Sequence, residues 1–90
     1  MSRFGRDHLA KVHELPCGVC GSYPVEAHHV LEGRTPGRKS PDALAIPLCP
    51  SCHRDEKAGI HGLGFMWKVM KKGELDVLAE TYEALYGRKD

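Results

Sequence analysis

The sequence contains no asparagine, and only 7% of its residues are aromatic. Its longest uninterrupted apolar runs are a few residues, which leaves nothing able to span a bilayer. The opening stretch, MSRFGRDHLAKVHELP, has none of the apolar core that a secretory signal needs. A cytoplasmic, intracellular chain is therefore expected. Charge of neither sign predominates: thirteen Lys and Arg against twelve Asp and Glu leave a formal net charge of +1. That balance alone does not announce a nucleic-acid binder. Repeats, linkers and low-complexity tracts are absent, and 90 residues suit one domain over 1–90. With 41% hydrophobic and 28% charged residues, the chain is not collagen-like, coiled-coil or wholly disordered.

A chain of this size buries about two-thirds of its unfolded surface, so its core balance is thin. Ten glycines and six prolines thin it further. Small folds often add a staple. The composition offers one, in four cysteines and six histidines.

The net charge hides an asymmetry. Residues 32–39 hold one acid and three bases, and 53–72 hold two acids and five bases. From Gly73 onward there are five acids and two bases. A basic middle fits a phosphate-bearing partner, although on charge alone an ordinary solvated surface is the preferred reading.

Phe4, Leu9, Val12 and Leu15 can form a loose helical face near the start. Residues 16–24, PCGVCGSYP, are turn-rich, and 25–31, VEAHHVL, read as a short strand. Residues 32–41, EGRTPGRKSP, read as a loop. Leu44, Ile46 and Leu48 alternate, which predicts a second strand over 43–48, with Pro47 placing it at an edge. Pro50 can start and Gly59 stop a helix over about 50–58. After the Gly-rich link 60–64, a helix over 65–72 should turn Phe65, Met66 or Trp67, Val69 and Met70 inward. Glu74 to Tyr86 is the clearest helix, with Leu75, Leu78, Tyr82, Leu85 and Tyr86 at helical spacing.

Two Cys-x-x-Cys pairs, Cys17/Cys20 and Cys49/Cys52, account for every cysteine. Each pair puts two thiolates on one side of a tight turn, and two such turns make a tetrahedral sulfur cage suited to structural zinc. The 28 residues between the pairs exceed the usual ribbon spacing, so that segment must carry structure of its own. Two disulfides, or a redox motif, are the competing readings. An intracellular setting argues against the first and the matched pairs against the second. The cage ties the turn before the first strand to the start of the helix, which draws His28 and His29 toward His53, with His61 nearby. Such imidazoles suit a divalent ion with open positions, and a neutral one can take a proton from water near pH 7. The plainer reading of a histidine after a Cys-x-x-Cys is a spare zinc ligand or a cap. His8 and His13 lie outside the group and are expected to have no chemical role.

The order CGVC (17–20), AHHV (27–30), a Gly-rich basic loop and PLCPSCH (47–53) resembles the HNH, or ββα-metal, nuclease family. Within it the sequence is similar to phage and prophage members, and among these to the recombination-associated, RecA-dependent group. The resemblance covers residues 16–62. It implies an α+β fold: a small ββα-metal, treble-clef-like core with a four-cysteine structural zinc, braced by C-terminal helices over 65–86. It further implies His28 and His53 as ligands of a catalytic divalent ion (Mg2+, Mn2+ or Zn2+) and His29 as general base. The family's middle position is often Asn; here Asp42 is the nearest substitute. A further ligand of some family members falls at Lys57, so either His61 or water is the candidate in its place.

The function implied is metal-dependent endonucleolytic hydrolysis of DNA phosphodiesters. Arg34, Arg38, Lys39 and Arg54 are the candidate phosphate contacts, and a recombinase filament or another phage protein is a candidate partner. Trp67, Leu75, Leu78 and Tyr82 are expected to brace the motif. Two rivals stand beside this: a non-catalytic, zinc-stabilised DNA-binding module, and a zinc adaptor that binds protein through the acidic tail.

Overall fold

The computed structural model describes residues 3–31 and 41–87. Its centre is an antiparallel strand pair. β1 (Glu26–His29) lies against β2 (Ala45–Leu48), with Glu26 opposite Leu48 and His29 opposite Ala45. Four α-helices surround the pair: α1 (Arg3–Val12), α2 (Pro50–Arg54), α3 (Phe65–Met70) and α4 (Glu74–Tyr86). The chain is thus a small mixed fold of helices and a two-stranded sheet. None of its described helices is long and apolar enough to cross a membrane.

The second strand is shorter than its alternation predicts. Residues Asp42–Leu44 form a 3-10 turn instead, closed by Leu44 N–H donating to the Pro41 carbonyl at 2.9 Å. All four β2 residues are buried, so both faces of the strand are covered and alternation loses its meaning there. α2 also ends early, at Arg54 rather than 58. The Asp55 carboxylate accepts the N–H groups of Lys57 and Ala58 at 2.8 and 2.9 Å, which offers the backbone a turn in place of another helical step.

Val19, Val30, Ile46, Leu48, Trp67 and Val77 form the core together with Cys17, Cys49 and Cys52. Each fully buried aliphatic side chain contributes about 1.5–3 kcal/mol. α4 reaches this core through Val77 at a point where only glycine fits: a Cβ on Gly18 would stand 2.4 Å from Val77 Cγ1. The buried face of α4 is Glu74, Val77 and Thr81, while Leu75, expected as a brace, is exposed. Tyr82 does brace the fold, its hydroxyl donating to the Ala43 carbonyl. Leu78 is partly buried against the core. In α3 only Trp67 is buried; Phe65, Val69 and Met70, expected to turn inward, face solvent.

The buried face of α1 is Gly5, His8 and Val12, at helical spacing. His8 is fully buried and sits in a ring stack with Phe4, Tyr82 and Tyr86. It joins three elements, since Nε2 meets the Ala45 carbonyl at 2.9 Å and Nδ1 meets the Tyr86 hydroxyl at 2.8 Å. With Nε2–H donating to the carbonyl and the tyrosine O–H donating to Nδ1, one neutral tautomer satisfies both bonds. This role is structural, in keeping with its place outside the chemical group.

Candidate metal centres

The two cysteine pairs meet. Sulfur atoms of Cys17, Cys20, Cys49 and Cys52 all lie within 4.8 Å of one another, with Cys20 and Cys49 sulfurs 3.5 Å apart. Four sulfurs bound tetrahedrally to zinc at about 2.3 Å would stand about 3.8 Å apart, so the spacing fits that ion. All four thiols are free in this structure. The first pair sits on a turn closed by Gly21 N–H donating to the Cys17 carbonyl at 2.9 Å, and Val19 N–H points at the Cys17 sulfur at 3.4 Å. The second pair straddles the start of α2, where Pro50 has no N–H to leave unpaired.

The electrostatics of the cage favour a dication. Burial pushes the Cys49 and Cys52 thiols up, Cys52 far above the usual thiol range. At Cys20 burial acts the same way, but hydrogen bonding with the Ser22 side chain and backbone and with the neighbouring thiols outweighs it and brings the group down to about 6. Four adjacent thiolates repel one another unless a positive charge sits among them, and a bound metal deprotonates its thiols outright. The donor set therefore fits a structural metal such as zinc.

A second group forms one residue along α2. Ligand nitrogens of His28, His53 and His61 all lie within 4.8 Å of one another, and the three rings are 4.8–5.0 Å apart between centroids. His53 Nε2 and His61 Nε2 are 3.1 Å apart. Two imidazole nitrogens on one ion at about 2.0–2.1 Å would be separated by about 2.9–3.4 Å in octahedral or tetrahedral geometry, so the pair fits a shared ion.

Backbone bonds set this arrangement. His61 N–H donates to the His53 carbonyl at 3.2 Å, and Ile60 N–H to the Cys52 carbonyl at 2.9 Å, which folds the loop after α2 back on the helix. The loop has room only for glycine at 62, where a Cβ would meet the Glu56 carbonyl oxygen at 2.1 Å. Trp67 Nε1 donates to the Cys52 carbonyl at 2.9 Å and locks α3 to the same point.

Two carboxylates that the sequence reading overlooked orient these histidines. Glu26 Oε1 lies 2.7 Å from His53 Nδ1, and its other oxygen 2.5 Å from the Arg54 guanidinium. Both contacts hold the Glu26 carboxyl below the usual range, the His53 bond most. Glu74 Oε2 lies 2.5 Å from His28 Nε2 and accepts Leu31 N–H at 3.1 Å. A carboxylate accepts, so it fixes the proton on His53 Nδ1 and on His28 Nε2. The lone pairs then sit on His53 Nε2 and His28 Nδ1. Burial, partly offset by Glu74, lowers the His28 pKa and keeps the ring neutral and able to ligate.

Glu26 was findable, because it shares the strand face of His28 two residues on. Glu74 carries no such signal. In sequence it reads as an acid in the first turn of a helix, where the helix dipole alone explains it.

His29 stands apart from the three. It follows His28 on a strand, so the two rings project from opposite faces. Its partner is Asp42, with Oδ1 2.8 Å from Nε2. The carboxylate fixes the proton on Nε2 and leaves Nδ1 as the basic atom. Arg54 is exposed, with one guanidinium nitrogen already on Glu26. Arg34, Arg38 and Lys39 lie outside the described residues. No family model matches the chain, and no curated protein matches it.

Proposed function

We propose that the chain is a metal-dependent DNA endonuclease of the HNH kind. The observation that carries this reading is the clustering of His28, His53 and His61, each offering a ring nitrogen within 4.8 Å of the others, beside a histidine and carboxylate pair one residue away. An antiparallel strand pair followed directly by the helix that bears His53 supports the ββα reading of the core.

In the proposed mechanism His28, His53 and His61 would hold a divalent ion, which would supply charge stabilisation at the scissile phosphate and its leaving oxygen. His29 Nδ1 takes the proton from the attacking water. Asp42 holds that ring in the required tautomer and stabilises the imidazolium as it forms. An in-line displacement needs nucleophile and leaving group on opposite sides of phosphorus. His28 and His29 are adjacent on β1 and face opposite ways, so His29 would activate the water from one side and the ion held by the three histidines would lie toward the other. Among the described residues β1 pairs on one side only, with β2. The Asp42 contact supports its reading as the substitute for the family asparagine.

The test is plasmid nicking with Mg2+, Mn2+ or Zn2+ against EDTA, repeated in the presence of a recombinase filament. Because a chelator strips the cage as well, the decisive arm is His29→Ala. That variant should lose about 10²–10⁴ in rate while keeping its zinc and its DNA affinity. Gel shifts with no cuts under any ion would replace the nuclease by a DNA-binding module.

A further inference from the structure

The loop after α2 ends in an open groove of about 410 Å³ lined by Lys57, Leu63, Phe65 and Lys68. Leu63 is 71% exposed and Phe65 60% exposed, although the helical pattern places Phe65 in the core. Nothing in the packing explains these side chains. Neither Lys57 nor Lys68 makes an ion pair among the described residues, and Lys57 lies near the Asp55 carboxylate. The lining residues are thus one aromatic, one aliphatic and two lysines, with no acidic residue among them. His61 belongs to the same loop, between Lys57 and Leu63.

An occupant must offer a flat apolar surface and negative charge close to it. A nucleobase with its flanking phosphates does both, and base–aromatic stacking beside cations is the usual way to grip an unpaired strand. The volume lies in the range that holds one compact ligand, and suits a single base better than the several anchors of a docked peptide helix.

We propose that the groove stacks an unpaired nucleobase of the strand being cut, between Phe65 and Leu63, with the neighbouring phosphates on Lys57 and Lys68. This rests on the DNA reading above, and narrows the substrate to DNA that is single-stranded or splayed beside the cleavage point.

The experiment measures fluorescence anisotropy of zinc-loaded protein, without added Mg2+, on a labelled oligothymidylate and on an abasic oligonucleotide of equal length. The abasic strand keeps the phosphates and lacks the bases. The unmodified protein should prefer thymidylate by about 5- to 150-fold, the affinity equivalent of one stacked base. Phe65→Ala should bring the two affinities together, and Phe65→Trp should keep the preference. Lys68→Gln should weaken both strands alike and lower the salt slope by about one. Phe65 is exposed, so these variants leave the core intact, which zinc content verifies.

A preference that survives Phe65→Ala overturns the proposal. So does a groove that takes an acidic peptide or a second copy of the chain and leaves oligonucleotide binding untouched. Plasmid nicking run in parallel separates the two readings. Nicking with a Phe65-independent preference overturns stacking alone, whereas Phe65-dependent stacking without nicking upholds it and removes only the hydrolysis.

Discussion

Replacing Glu74 should weaken the histidine site from a distance. Its Oε2 takes both His28 Nε2–H and Leu31 N–H, and its side chain is 9% exposed. In Glu74→Ala the His28 N–H is left in a buried place with no acceptor, at a cost of about 1–3 kcal/mol in stability. Leu31 is exposed, so its N–H can turn to water. The ring also loses the group that fixes its tautomer. Loss of such an outer partner typically lowers metal affinity 10- to 100-fold, or about 1.4–2.7 kcal/mol. Glu74→Gln separates charge from bonding. An amide oxygen in the place of Oε2 keeps both bonds but forgoes the charge-assisted part, so its loss should fall near the lower end. The assay titrates a second equivalent of metal into protein whose cage is already loaded, against a competing chelator. A folded Glu74→Ala protein with second-site affinity within about twofold of the parent refutes the assignment of Glu74 as the orienting group.

Two further substitutions test the supports of the site. His8→Ala removes a buried ring and both its hydrogen bonds, and should cost about 2–4 kcal/mol, read as a lowered melting temperature with metal content unchanged. Gly62→Ala drives a Cβ against the Glu56 carbonyl and should cost about 1–3 kcal/mol. Because His61 adjoins that glycine, second-site metal binding should weaken while the cage, read by its own zinc, is spared.

The cage was legible because identical pairs leave few alternatives: all four cysteines were accounted for, and spacing within each pair fixed the turn. The histidines followed from it, since Cys52 and His53 are neighbours. The periodic reading did worse in α3. There Phe65, Val69 and Met70 have helical spacing, but the helix rests on the core through Trp67, and a six-residue helix has too little length for its pattern to decide which side is covered. In α4 the buried residues include a glutamate and a threonine, so counting apolar residues found the Leu78 and Tyr82 side but missed Glu74 and Thr81 and misplaced Leu75. Glu74 is buried because the His28 ring needs an acceptor, a requirement visible only once α4 lies beside β1. Asp42 was chosen as the nearest substitute for an asparagine, and the 3-10 turn that presents it had been read as strand.

The cage and the histidine cluster share α2, which raises the question of how strongly one depends on the other. His28 and His53 are 25 residues apart, whereas Cys20 precedes His28 by eight and Cys52 adjoins His53. Closing the cage therefore shortens the loop that the histidines must close from about 25 residues to about nine. Loop-closure entropy changes slowly with length, and this shortening is worth only about 0.9 kcal/mol, roughly fivefold in affinity. The cage does more than shorten a loop if it also holds the fold. A structural zinc contributes about 10–16 kcal/mol, comparable with the whole stability of a small domain. Cys52→Ser should therefore abolish second-site binding and the folded Trp67 signal together, far beyond fivefold. Since coupling is reciprocal, loading the second site should in turn raise the affinity of the intact cage for zinc. If a zinc-depleted Cys52→Ser protein keeps its second-site affinity within about fivefold, the histidines are arranged by the strands and the 55–64 loop alone, and the cage is a neighbour rather than their support.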